Sequence, residues 1–129
     1  PLYFLKAARD QLLDFVTRDK FKKAELYLLF SYKQIAMAQF LAKKGKNNLA
    51  ISSLSKGEKY FLKITQVLTE SKKQGSSPPS GFVEKLKLAN SKHKEVAESL
   101  LKEIPQGASH LIVEIIKLNE EIKSQLEKI

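Results

Sequence analysis

Apolar residues recur at intervals of three and four along the first 45 residues, and this spacing predicts two helices. The first predicted helix runs from about Leu2 to Val16, and the second follows Thr17 and Asp19, whose side chains are typical helix N-caps. Gly45 is expected to end the second helix. The apolar positions are Leu2, Leu5, Ala8, Leu12, Leu13, Phe15 and Val16 in the first helix and Phe21, Ala24, Leu28, Ile35, Ala38 and Ala42 in the second.

Three further apolar series alternate steps of four and three, broken only at Gln125 in the last series, and this is the spacing of a helix that packs against partner helices. The run of Gly, Ser and Pro at residues 75–81 has no apolar side chain to bury, so it predicts an exposed loop. Pro105 and Gly107 are expected to separate the last two helices. The three series are Ala50, Leu54, Gly57, Phe61, Ile64 and Leu68; Phe82, Leu86, Ala89, His93, Val96 and Leu100; and Ala108, Leu111, Ile115, Leu118, Ile122 and Ile129.

These elements predict an all-α fold. Because all connections except the loop at residues 75–81 are short, successive helices are expected to be antiparallel neighbours. The expected architecture is an antiparallel up-and-down bundle of four long helices with a short N-terminal helix packed across it. A length of 129 residues fits one domain, which we place at residues 1–129.

Charge is divided unevenly between the two parts of the chain. Residues 1–80 hold 15 Lys and Arg against 6 Asp and Glu, whereas residues 81–129 hold 8 of each. Lysines on a helical hairpin can bind nucleic acid, anionic lipid or an acidic polymer, although a charge run is also typical of a merely solvated face. The candidate surface for an anionic partner consists of Lys43, Lys44, Lys46, Lys56, Lys59, Lys63, Lys72 and Lys73.

Aromatic residues are concentrated before Gly45. Tyr27, Phe30 and Tyr32 cannot all share one helix face with the core series of the second predicted helix. Some of them are therefore expected to meet the first predicted helix or to remain partly exposed, and an exposed aromatic patch beside lysines would mark a partner surface.

Residues that carry catalysis or bind metal are sparse. The chain has no cysteine, its two histidines are His93 and His110, and neither histidine has a second ligand at metal-binding spacing. His93 lies on an apolar series, so a structural role is expected. No serine lies in a Gly-x-Ser-x-Gly turn. The sequence therefore predicts no catalytic residues, no metal, no cofactor and no enzymatic activity.

Two stretches of the chain carry a resemblance to a known family. The opening residues 1–6 read Pro-Leu-Tyr-Phe-Leu-Lys, residues 22–30 read Lys-Lys-Ala-Glu-Leu-Tyr-Leu-Leu-Phe, and a break follows at residues 43–45. Over about residues 1–70 this pattern resembles an uncharacterised bacterial helical domain family of exported or membrane-anchored proteins. The family often has a proline in the turn before the second helix, which residues 17–21 lack. The resemblance implies a location outside the cytoplasmic membrane and no catalytic residues to transfer, and the start at Pro1 is expected to reflect a leader that stands upstream.

Three hypotheses about function follow. The leading one is a non-enzymatic binding or spacer module of an exported bacterial protein, with an unknown protein or an anionic surface as its partner. The alternative is a basic nucleic-acid-binding or regulatory bundle in the cytoplasm, which is less favoured because Arg9 and Arg18 are the only arginines. A third is self-association through the apolar stripe from Leu111 to Ile129. No apolar run reaches the length of about 20 residues that a transmembrane helix needs.

Overall fold

The computed structural model describes residues 19–129, and all its regular elements are helical. The short helix predicted for Leu2 to Val16 lies outside the described residues. The described residues form four α-helices, with a short 3-10 turn between the third and the fourth. They are α1 (Lys20–Lys43), α2 (Asn47–Lys73), α3 (Phe82–Glu103) and α4 (Ser109–Glu127), and the turn is Gln106–Ala108.

Helix α1 begins and ends at the residues predicted from the sequence, namely after the cap residue Asp19 and before Gly45. The Asp19 carboxylate caps the helix, because its Oδ1 accepts hydrogen bonds from the backbone N–H groups of Phe21 and Lys22, each at 3.1 Å. After the helix, Gly45 adopts a φ of 77°, which favours glycine because it has no Cβ. The chain then turns directly into α2.

The predicted all-α antiparallel bundle is confirmed: α1 packs against α2 and α3 packs against α4 as antiparallel hairpins. The two hairpins meet with α2 beside α4 and α1 beside α3. One detail differs from the expectation that all successive helices are neighbours, since α2 and α3 lie diagonally opposite each other. The loop at residues 74–81 can span about 26 Å when extended, which is enough to cross the end of the bundle.

The core consists of two apolar clusters, one toward each end of the bundle. In α4 the apolar stripe is also widened by Ile112, Ile116 and Leu126, of which Ile112 and Leu126 are buried, but Leu111 of the predicted series is 46% exposed and Asn119, which was not predicted, is buried. Each residue turns a helix by 100°, so a shift of one position moves a side chain off the core face. One cluster contains Ala24, Leu28, Phe61, Ile64, Leu68, Phe82, Leu86, Ala89, Ile122 and Leu126, and the other contains Ile35, Ala38, Ile51, Leu54, Ala97, Leu100, Ile104, Ile112 and Ile115.

Among the four described helices, α1 has the most exposed large apolar residues. Ala24, Leu28 and Ile35 are buried in the core, whereas Leu29 and Phe40 are about half exposed on the outside. None of the helices in residues 19–129 is both long and apolar enough to cross a membrane.

Candidate functional site

A close approach of α1 and α2 positions the candidate site. The hydroxyl of Ser31 on α1 donates a 2.9 Å hydrogen bond to the backbone oxygen of Gly57 on α2. A Cβ added at Gly57 would lie 2.8 Å from Ile35 Cδ1 and 3.3 Å from the Ser31 backbone oxygen. The helices can therefore pack this closely because residue 57 has no side chain.

Next to this crossing, aromatic residues of the two helices meet near the surface. The rings of Tyr27 and Tyr60 are stacked with centroids 6.1 Å apart and planes at 30°, and the ring of Phe30 lies 5.4 Å from that of Tyr60. All three side chains are only partly buried. The surface where α1 and α2 meet is therefore formed by aromatic rings and not by aliphatic side chains.

Lysines surround the two tyrosines. Lys63 Nζ lies 5.6 Å from the ring centroid of Tyr27 and 5.5 Å from that of Tyr60, and Lys23 Nζ lies 5.8 Å from that of Tyr27. These distances allow cation–π attraction, which leaves the remaining ammonium protons free to face solvent or a ligand. We call this surface the lysine–tyrosine patch. It consists of Lys20, Lys23, Tyr27, Lys56, Lys59, Tyr60 and Lys63.

Two grooves give the patch its shape. Lys56, Lys59, Tyr60 and Lys63 line a shallow groove along α2, and Lys63 is shared with a second groove between α2 and the start of α1. The three α2 lysines are spaced three and four residues apart, so they share one helix face.

The patch has an unbalanced positive charge. Lys56, Lys59 and Lys63 are exposed, and none of them forms an ion pair with a carboxylate of the described residues. The lining of the second groove contains one acidic residue, Glu70, beside the three lysines Lys20, Lys23 and Lys63. Such a surface attracts anionic groups, and its ammonium groups are point charges on flexible stems that adapt to different anions.

The other five lysines of the sequence-based candidate surface lie at the two ends of the hairpin. Lys43, Lys44 and Lys46 lie at the turn between α1 and α2, and Lys72 and Lys73 end α2 about 40 Å away along the helix axis. Two of them have contacts within the chain: Lys44 Nζ lies 5.5 Å from the ring centroid of Phe40, and Lys72 Nζ donates a 2.8 Å hydrogen bond to the Lys128 backbone oxygen. The eight lysines therefore form three groups, of which one borders aromatic rings of both helices.

A second polar cluster lies in the middle of the bundle, where it crosses the diagonal between α2 and α3. Glu58 Oε1 lies 3.0 Å from His93 Nδ1, and Glu58 Oε2 accepts a 3.2 Å hydrogen bond from Asn119 Nδ2. The amides of Asn90 and Asn119 each donate to the other residue's backbone oxygen, at 3.1 and 3.0 Å. We call these four residues, which are at most 3% exposed, the buried polar cluster.

Two atoms of this cluster have no hydrogen-bond partner among the described residues: His93 Nε2 and Asn119 Oδ1. The His93 ring lies edge-on to the rings of Tyr32 and Phe61, at centroid distances of 5.9 and 5.4 Å. Aromatic rings therefore separate the imidazole from solvent. A ligand would reach this cluster only if the helices moved apart.

The structural role expected for His93 agrees with its burial, but its partner Glu58 was missed. A signal was present, since Glu58 lies four residues after Leu54 and three before Phe61, both of which belong to the predicted α2 series. Within residues 19–129 no group of three or more His, Cys, Asp or Glu side chains could hold a metal ion.

Comparison with known families identifies a match over residues 1–107, to the domain of unknown function DUF5667. The chain belongs to the DUF5667 family. The match covers most of the chain and extends beyond the 70 residues over which the sequence motifs carry a resemblance. Comparisons with curated proteins and with solved structures give no match.

The match to DUF5667 ends before α4, although α4 is part of the same bundle. Ile112 and Ile122 of α4 are completely buried in the two core clusters, and Asn119 belongs to the buried polar cluster. In this chain the DUF5667 region therefore shares its core with a helix outside the matched residues.

Proposed function

We propose that this DUF5667 domain is a non-enzymatic binding module of an exported bacterial protein, and that the lysine–tyrosine patch binds an anionic partner. One observation carries the proposal: five lysines from two helices surround two stacked tyrosines, and the exposed lysines of α2 have no carboxylate partner among the described residues. A solvated lysine face does not require aromatic rings in its midst, whereas a binding surface gains from them.

The chemistry of the patch favours a partner with several spaced carboxylates or other anionic groups, such as an acidic protein segment. Lysine ammonium groups attract anions without the fixed bidentate geometry of arginine. They therefore suit a flexible acidic chain better than the planar edges of nucleotide bases.

The proposal is tested by measuring the affinity of the protein for fluorescent polyglutamate across a salt series. The patch variant carries Lys56→Gln, Lys59→Gln and Lys63→Gln, and the matched control carries Lys43→Gln, Lys44→Gln and Lys46→Gln, with the same change in net charge. We expect at least a tenfold loss of affinity for the patch variant and less than a threefold loss for the control. Equal losses would show that net charge alone causes binding, and the patch would then not be the site.

A second candidate function is binding of single-stranded nucleic acid, and the tyrosines favour it specifically. Proteins that bind single strands combine lysines with aromatic rings on which bases stack. The same titration with RNA and DNA oligonucleotides separates the candidates, because Tyr60→Leu would weaken a stacking-dependent complex severely and the polyglutamate complex only slightly. A preference for oligonucleotide over polyglutamate of equal charge would support this second function instead.

The proposed location outside the cytoplasmic membrane is supported by the resemblance of the opening residues to exported proteins. It is tested by adding protease to intact bacterial cells and to spheroplasts that produce the full-length natural protein. We expect the domain to be digested in spheroplasts before the cells are lysed. Protection until lysis would contradict the location without affecting the binding proposal.

A further inference from the structure

A groove lies between the N-terminal halves of α2 and α4, next to the lysine–tyrosine patch, and has a volume of about 410 Å³. Ile51 of α2 and Ile115 of α4 line its floor and are 6 and 7% exposed. Leu111 and Leu118 of α4 also line the groove, and Leu111 is 46% exposed. The groove is therefore apolar at its floor and has one large apolar side chain open to solvent.

Two lysines of the patch belong to this groove as well. Lys56 and Lys59 line both the groove between α2 and α4 and the shallow groove that contains Tyr60 and Lys63. Both are exposed, and neither forms an ion pair with a carboxylate of the described residues. The lysine–tyrosine patch and the apolar groove are therefore adjacent parts of one surface, joined by these two lysines.

The lining of the groove has an excess of positive charge. Its one acidic residue is Glu114 of α4. The Glu114 Oε1 atom lies 3.8 Å from the Nζ atom of Lys117, so a lysine of the same helix offsets its charge. The positive charge that has no such partner lies on the α2 side, where an anionic occupant would be attracted.

The size of the groove suits a short helical segment of a partner protein. From Ile51 to Lys59 it follows eight residue steps of α2, which is about 12 Å or two helical turns. Amphipathic helices bind in apolar grooves through side chains spaced three and four residues apart. A uniform polyanion would leave the floor of the groove uncovered, whereas a segment with both apolar and acidic residues would satisfy the floor and the lysines together.

Charge favours such a partner over a second copy of the chain. The formal net charge of the chain is +9, so a second copy would bring further positive charge to Lys56 and Lys59. An acidic segment is attracted by the same lysines, and its apolar side chains remove the exposed area of Leu111 from water.

We propose that the partner of the lysine–tyrosine patch is an acidic amphipathic helix whose apolar side chains enter the groove between α2 and α4 and whose carboxylates contact Lys56 and Lys59. The inference rests on the proposed function, because both use these two lysines. It adds that the partner carries apolar residues beside its acidic ones, and that Leu111 is the residue that distinguishes such a segment from a uniform polyanion.

The test compares two fluorescent peptides of equal length and charge by anisotropy. One consists of glutamate with leucine at steps of three and four, and the other has glutamine in place of each leucine. We expect the unaltered protein to bind the leucine peptide about tenfold more tightly, because it covers the apolar floor. Leu111→Gln should weaken binding of the leucine peptide about fivefold and leave that of the glutamine peptide unchanged.

The matched control is Leu88→Gln, which makes the same change at a leucine of α3 that is 74% exposed and does not line the groove. It should leave the affinity for both peptides unchanged. Equal effects of Leu111→Gln and Leu88→Gln would overturn the inference, because the leucines of the peptide would then bind elsewhere. A dimer mass in light scattering that Leu111→Gln abolishes would also overturn it, since a second copy would then occupy the groove.

The variant with Lys56→Gln and Lys59→Gln separates this inference from the proposed function. Equal affinity of the unaltered protein for the two peptides would overturn the inference, and the proposed function would still stand if the lysine variant weakened both. If the lysine variant bound both peptides as tightly as the unaltered protein, the proposed function itself would be wrong.

A photo-reactive leucine analogue in the leucine peptide locates the contact without any change to the protein. We expect cross-links to residues 111–118 of α4. Cross-links confined to α1 or α3 would overturn the inference.

Discussion

Glu58 and Lys59 are adjacent charged residues on α2, yet they belong to opposite regions of the molecule. Glu58 is 1% exposed and joins the buried polar cluster, whereas Lys59 is exposed in the lysine–tyrosine patch. The helix turns 100° between them, which directs one side chain into the bundle and the other into solvent. The comparison shows that a charged residue on a helix is buried among partners or left in solvent according to what its side of the helix meets.

The two regions also differ in how they affect folding. Glu58 loses its hydration in the core, and this cost is offset only because His93 and Asn119 supply hydrogen bonds from two other helices. The patch lysines keep their hydration, so they contribute little to folding and their charge remains free for a partner. Stability should therefore respond to the buried polar cluster, and affinity should respond to the patch.

The largest expected effect is that of Glu58→Leu, which removes the acceptor shared by His93 and Asn119. Leaving buried polar groups without a partner costs about 2 to 4 kcal/mol of unfolding free energy. Urea denaturation followed by circular dichroism measures this loss.

Two controls accompany that prediction. Glu70→Leu removes an exposed carboxylate from the same helix and should change the free energy of unfolding by about 0.5 kcal/mol or less. Glu58→Gln keeps the shape and one acceptor oxygen, so it should cost less than half as much as the leucine. An equally small effect of Glu58→Leu and Glu70→Leu would mean that the buried polar cluster does not stabilise the bundle.

A smaller effect is expected for Gly57→Ala, which tests the close approach that brings the tyrosines together. The new Cβ would overlap Ile35 and press on the Ser31 backbone oxygen. Overpacking costs about 1 to 3 kcal/mol, and the better helix propensity of alanine returns about 1 kcal/mol. We expect a net loss of about 1 kcal/mol in urea denaturation. Adding Ile35→Val removes the methyl group nearest the new Cβ, so the double variant should be more stable than the sum of the two single changes predicts.

The smallest effect on stability is expected for the patch variant with Lys56, Lys59 and Lys63 changed to glutamine. Exposed lysines without ion pairs contribute little to folding, and each change should alter the free energy of unfolding by about 0.5 kcal/mol or less. Its urea midpoint should lie close to that of the control variant with Lys43, Lys44 and Lys46 changed. A marked destabilisation of the patch variant alone would show that the cation–π contacts of Lys63 hold α1 and α2 together, and the patch would then have a structural role.

Prediction from the sequence succeeded where a local pattern was sufficient. The cap at Asp19, the stop at Gly45 and the buried series of α2 need only helical spacing and turn chemistry, and the structure shows all three. The prediction was wrong at two positions of α4, because Leu111 was assigned to the core and Asn119 was left out. An asparagine on a core face interrupts an apolar pattern, and only its partners Glu58 and Asn90 explain its position.

In the candidate site, too, the sequence predicted what a local pattern shows and missed what depends on residues distant in the chain. The sequence indicated a lysine-rich hairpin and a surplus of aromatic residues, but it grouped eight lysines that the structure separates into three sets. Tyr27 and Tyr60 are 33 positions apart, and no local rule pairs them. Their contact depends on Gly57, which lets α1 and α2 approach closely enough for the rings to stack.

The sequence by itself determined that this chain forms long amphipathic helices, where most of them begin and end, and which half of the chain carries the positive charge. Helical spacing and capping act within a few residues, so they can be read along the chain. Only the tertiary structure decided that Glu58 is buried with His93, that α2 and α3 lie across the diagonal, and that Lys63 borders two tyrosines. These features depend on contacts between helices, because the burial or exposure of a charge is set by residues that are distant in the chain.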